Sequence, residues 1–167
     1  YNQTNTTLIG TYITDANGAY TATLTTGIYN IRVMATGYIN DTVSGVNIQT
    51  NIVTTVEPVQ QVPTSAVATG TVTGIITNAF TGLGVTGVEL KFRSGINVNT
   101  GTVVMTTTTT SGGTYTVTGL NAGNYTVEAV LTNNTTLFFT ATSIGGQTNA
   151  NQNASITPAC RRGRREL

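Results

Sequence analysis

The sequence predicts an all-β chain: two tandem antiparallel β-sandwich modules, the first lacking one or more N-terminal strands. Three observations predict it. First, 39 of the 167 residues are threonine, and β-branched side chains lose rotamer freedom in a helix but suit a pleated sheet. Second, larger apolar residues alternate with threonine over short runs, which is the period of a half-buried strand. Third, a block near the N-terminus recurs 95 positions later. No window of eleven or more residues carries apolar positions at helical spacing, and the 19 glycines break any helix, so essentially no α-helix is expected.

Taken in order, Asp15-Ala16-Asn17-Gly18 is a tight turn in which Asn17 and Gly18 tolerate positive φ. It leads into an expected strand over residues 19–24, with Tyr20, Ala22 and Leu24 on the inward face. A second strand follows at Gly27-Ile28-Tyr29-Asn30-Ile31-Arg32-Val33. Later, residues 71–77 and 85–92 read as two strands separated by a turn, and Val103-Val104-Met105 leads into a strand over 106–110. Gly112-Gly113 serves as the second tight turn before Tyr115-Thr116-Val117-Thr118 and Tyr125-Thr126-Val127-Glu128-Ala129.

The repeat joins these pieces. Residues 18–24 align with 113–118, residues 27–33 with 123–129 and Gln49-Thr50-Asn51 with Gln147-Thr148-Asn149, while Pro58 falls near Pro158. The expected domains are an incomplete sandwich at 1–57, a stiff Pro-containing linker at 58–68, a complete sandwich at 69–158 and a disordered basic tail at 159–167. The second copy has about 40 residues before the aligned block where the first has 13, so the first exposes a strand edge.

Composition excludes several function classes. With no histidine there is no Ser-His-Asp or Cys-His arrangement and no imidazole metal site. Of seven basic residues four are Arg161, Arg162, Arg164 and Arg165, which leaves a body with three basic and five acidic residues and no surface for nucleic acid. Cys160 is the single cysteine and cannot bridge within the chain. No apolar run approaches a membrane span, so membrane insertion is not expected. No signal peptide is read in the sequence, and a start at Tyr1 rather than Met reads as a mature form, an excised fragment or a portion of a longer chain, any of which could have lost a leader.

The pattern Thr14-Asp15-Ala16-Asn17-Gly18-Ala19-Tyr20, then Thr26-Gly27-Ile28-Tyr29-Asn30-Ile31-Arg32-Val33, then Ala35-Thr36-Gly37-Tyr38, resembles the carboxypeptidase regulatory-like module. The second copy resembles it through Gly70-Thr71-Val72-Thr73-Gly74 and Gly123-Asn124-Tyr125-Thr126-Val127. Through Gly119-Leu120-Asn121-Ala122-Gly123-Asn124-Tyr125 it is also similar to the B-type repeats of Gram-positive collagen adhesins and pilins. The resemblance implies an Ig/transthyretin-like sandwich and identifies fold better than function. Physics gives the tyrosines their own role: Tyr29 and Tyr125, two residues past a glycine, suit a tyrosine corner, with the ring buried and the hydroxyl on nearby backbone.

Candidate sites are few. Asp15 and Asn17 sit at a spacing that begins a calcium loop, but no further acidic ligand follows, so a structural turn is expected. Glu89 and Lys91 share a strand face, with Glu128 placed for a neighbouring strand. The adhesin resemblance would make a lysine a partner in an isopeptide bond with asparagine; Lys91 lies in the second strand-like segment rather than the first, so a solvated surface pair is the expectation. Glycosylation sequons occur at Asn2, Asn5, Asn40, Asn124, Asn133, Asn134 and Asn153, and the run 106–110 is a strand or an O-glycosylated patch. The tail from Cys160 to Leu167 reads as a solvated end or as a processing or anionic-surface contact.

No catalytic, cofactor-binding or metal residue is assigned, and no cofactor is expected. The expected function is a non-enzymatic extracellular or cell-surface module, a stalk, spacer or adhesive segment. The alternatives are a filament or pilus subunit completed by strand addition, and an accessory domain of a secreted peptidase or glycan-acting enzyme. Partners are other proteins or a second copy at an exposed strand edge. A glycan contact would lack tryptophan to stack on.

Overall fold

The computed structural model describes residues 1–64, 68–131 and 135–157. Ten strands run in order: β1 (Gly27–Val33), β2 (Asp41–Ile48), β3 (Thr69–Asn78), β4 (Glu89–Ser94), β5 (Met105–Thr108), β6 (Thr114–Asn121), β7 (Gly123–Leu131), β8 (Thr135–Ser143), β9 (Thr148–Asn149) and β10 (Ala154–Ile156). Among the described residues the only helical turn is a 3-10 turn at Ser111–Gly113.

Residues 69–156 form a sandwich. One sheet runs β10-β3-β6, with β9 also on β3; the other runs β5-β4-β7-β8. β3 meets β6 antiparallel but takes β9 and β10 in parallel. Alternation sets the core: Val72 and Ile76 of β3 face Leu90 and Phe92 of β4, Tyr115 and Val117 of β6, and Tyr125, Val127 and Ala129 of β7. Phe92 sits at the centre, fully buried, with both Tyr115 and Tyr125 at ring separations of 6.4 Å in tilted, edge-on arrangements. Glycine at position 74 on the inward face of β3 has a packing cause. A Cβ there would strike the carbonyl of Gln152, where the chain crosses between β9 and β10.

The N-terminal part builds less. β1 and β2 pair antiparallel as a two-stranded sheet with an irregularity between Tyr29 and Ile31. The expected strand over residues 19–24 is absent, and Tyr20, expected inward, is 40% exposed. The alternation in that segment is real, but among the described residues no neighbouring strand offers it backbone partners. The turn before it forms as expected: Asp15 Oδ1 accepts from Asn17 N and Ala19 N at 2.8 and 2.9 Å, and Gly18 has φ of 79°.

Residues 58–64 pack back on the hairpin. Ile39 N donates to Val62 O, Thr64 N donates to Gly37 O, and Val62 is buried. Asn133, Asn134 and the tail with Cys160 lie outside the described residues.

Phe92→Ala should therefore lower unfolding stability by about 3–5 kcal/mol, the usual cost of emptying a buried ring site. Thr106→Ala, on the exposed face of β5, should stay within about 0.5 kcal/mol. Urea midpoints at unchanged slope test both.

Candidate functional site: the joint between hairpin and sandwich

The loop after β4 adds one parallel bridge to the edge of the β1-β2 sheet. Ile96 N donates to Thr42 O and Ser44 N donates to Ile96 O, both at 3.1 Å, which pairs Val43 with Ile96 in parallel. Asn97, held at positive φ of 60°, adds a bond from Nδ2 to Ser44 O at 2.6 Å. Val43, Val46 and Ile96 bury their side chains together, flanked by Ile31, Ile48, Val56 and Val59. The hairpin's apolar face is thus closed by a residue of the sandwich.

Beside this contact lies a buried polar cluster. Asn124 points to the outer face of β7, where solvent would be expected, yet it is 5% exposed. Its Nδ2 donates to Asp41 Oδ2 and to Gln60 O, and its Oδ1 accepts from Thr142 Oγ1 at 2.6 Å. Asp41 Oδ1 takes Thr42 N at 2.7 Å. One asparagine therefore ties β7, β8, β2 and residue 60 together, and two of its partners, Asp41 and Thr142, are buried. Thr126, next outward on β7, is buried the same way, accepting from Val98 N and donating to Gly95 O.

The residues singled out by sequence fall elsewhere. Lys91 Nζ lies 3.3 Å from Glu89 Oε2 on a half-exposed face, as expected of a surface pair. Glu128 stands opposite Lys91 in register but makes its ion contact with Arg93, whose Nη1 is 2.7 Å from Glu128 Oε2 without hydrogen-bond alignment. The run 106–110 begins in β5 and passes through buried Thr109, whose hydroxyl donates to Val85 O and accepts from Val88 N.

Of the sequons, Asn124 is consumed by the joint. Asn2 and Asn5 hold the first turn, Asn153 Oδ1 accepts from Ile75 N, and Asn40 is exposed. Among the described residues no three His, Cys, Asp or Glu side chains gather to hold a metal, and no helix is long and apolar enough to cross a membrane.

The tyrosines behave as scaffold. Tyr29 OH donates to Thr25 O at 2.9 Å and Tyr125 OH to Asn121 O at 2.7 Å, the same corner twice. Burial pushes the Tyr115 hydroxyl far above its ordinary range, and it raises Tyr125 as well, against a lowering bond with Ser94. Burial also raises the less enclosed Tyr20. Sequence reasoning missed Asp41 and Asn124. The available signal was an acid on the buried parity of β2, alongside Val43.

Against known proteins, the profile of the SdrD B-like domain matches residues 73–163, more than half the chain. No curated protein matches. Among solved structures, the chain is similar to the D312A form of BcpA, the major pilin subunit of Bacillus cereus, at 14% identity and TM-score 0.41, covering 55% of this chain and 30% of that one. It is similar to the Bacillus anthracis TIE protein at 16% and 0.40, covering 87% and 29%, and to the E269A form of shaft pilin spaA of Lactobacillus rhamnosus GG at 14% and 0.40, covering 89% and 67%. The chain spans only 30% of the length of the Bacillus cereus pilin, and scores this low carry no functional argument.

Asn124→Ala should cost about 1–3 kcal/mol by stranding Asp41 and Thr142, and a double-mutant cycle with Asp41→Ala should show coupling of about 0.5–3 kcal/mol. Stability should also hold up to about pH 10 and fall above it. The unfolded tyrosines ionise there, while Tyr115 and Tyr125 stay protonated in the fold until higher pH. Tyr115→Phe should flatten that alkaline loss, as read by thermal melts from pH 8 to 11. Carried by the profile match over the sandwich strands, the conclusion is that the chain belongs to the SdrD B-like domain family.

Proposed function

We propose that this chain is a non-enzymatic structural and adhesive element of a secreted or cell-surface protein, acting as a stalk or spacer. The observation that carries the reading is the family match across residues 73–163. Supporting it, the outer faces of both sheets are dominated by threonine, and the charged side chains of β4 and β7 neutralise one another.

In this reading residues 69–158 are one complete module, residues 1–57 are a partial copy, and residues 58–68 connect them. The repeated turn and the repeated tyrosine corner support the pairing of copies. The joint serves the function: a stalk transmits orientation only if its units cannot swivel, and directional hydrogen bonds fix an angle that apolar contact alone leaves soft.

The second reading, a subunit of a filament, is favoured by one observation. Residues 10–24 carry strand-like sequence, but among the described residues their backbone pairs with nothing outside the turn bonds of Asp15–Ala19.

Antibody raised against residues 69–157 should label intact, unpermeabilised cells that make the protein, and trypsin treatment of those cells should remove the label. Labelling only after permeabilisation would overturn the surface assignment.

A further inference from the structure

We propose that the run from Gly146 to Ile156, laid along β3, is a mechanical clamp, the element that holds the sandwich folded when the chain is pulled from its two ends. The purpose of a clamp rests on the stalk reading, whereas its existence is read on the isolated chain, so either can fail without the other.

The starting observation is where the chain enters and leaves the sandwich. It enters at Thr69, the first residue of β3, and leaves after Ile156, the last residue of β10. β9 and β10 both lie parallel to β3, and Ile156 stands beside Asn78, at the opposite end of β3 from Thr69. Entry and exit are therefore separated by the length of β3, about 30 Å at the rise of a strand. Tension on the flanking chain draws these two neighbours lengthwise past each other.

Along the seam the bonds run across the direction of pull and share it. Thr69 O accepts from Gly146 N at 2.9 Å, Thr71 N donates to Gln147 O at 2.9 Å, Thr73 O accepts from Gln152 N at 3.1 Å and Ala79 N donates to Ile156 O at 3.0 Å. Two side-chain bonds complete the row: Asn153 Oδ1 accepts from Ile75 N at 2.8 Å, and the hydroxyls of Thr77 and Ser155 lie 2.9 Å apart. Every second residue from Thr69 to Ala79 is thus tied to this run. Gly74 allows the close approach, since a Cβ there would strike Gln152 O, and Tyr115 OH donates to that same carbonyl from the core.

Bonds loaded side by side must fail together, so the barrier to sliding sums over contributions that are each modest. The β1-β2 hairpin has the opposite geometry. Gly27 pairs with Ile48 at its open end, and tension there parts one pair at a time. The hairpin therefore yields first and the sandwich last.

The test is constant-force spectroscopy on the full chain carrying Cys160→Ser. One preparation is tethered by its two ends, the other through Phe80→Cys and Thr157→Cys, exposed positions side by side at the far end of β3. Loss of the sandwich releases about 250–280 Å of chain in either preparation, which identifies the event. At equal force the sandwich should last about tenfold or more longer when pulled from its ends, because several bonds must break at once. Asn153→Ala and Ser155→Ala should each shorten the end-to-end lifetime by about fivefold, the effect of one hydrogen bond on the unfolding rate. Thr106→Ala, away from the seam, should leave it unchanged. Equal lifetimes on the two axes overturn the clamp, and so does an end-to-end lifetime that neither seam substitution shortens.

Discussion

Backbone pairing is the constraint on which this molecule depends. A chain so rich in threonine, valine and glycine makes strands, and each strand carries N–H and C=O groups along both edges that need partners wherever water is excluded. In the sandwich they have them: β3 lies between β6 and the β9 and β10 edge, and β7 lies between β4 and β8. Phe92 and the two tyrosines can then fill the space between sheets whose separation is already fixed. The hairpin has only one ladder of its own, between β1 and β2. Beyond that ladder, β1 exchanges backbone bonds with Tyr1 through Asn30, and β2 takes two from Ile96 in the loop after β4.

The joint combines two kinds of interaction with different jobs. Val43, Val46 and Ile96 remove apolar surface from water, which favours contact without dictating angle. Asn124 dictates the angle, because its amide must meet Asp41, Gln60 and Thr142 at once. Burying a carboxylate against neutral donors is costly unless every bond is made. That makes the arrangement all-or-none, and a stiff connection follows.

What the sequence disclosed was what local geometry governs. The Asp15 and Gly112-Gly113 turns and the Tyr29 and Tyr125 corners depend on residues within four positions, and they were legible for that reason. β3, β6 and β7 were legible from alternation. β8 was not, since Leu137-Phe138-Phe139 runs apolar through both faces, and β9 and β10 are too short to carry a period. Residues 19–24 failed for another reason: alternation reports which face a residue would take, not whether a neighbouring strand exists. Asp41 and Asn124 are 83 positions apart, a pairing that nothing local encodes. Asn124 drew notice as a sequon, whereas the fold uses the same amide as a fastener.

The most direct test of the account is residue-resolved amide hydrogen exchange on the full chain under native conditions. If the joint is a rigid element, residues 42–44 and 96 exchange slowly and together with β4 and β7, while residues 19–24 exchange fast. If residues 41–48 exchange as fast as residues 19–24 while the sandwich stays protected, hairpin and sandwich are independent bodies, and the account of the joint is wrong.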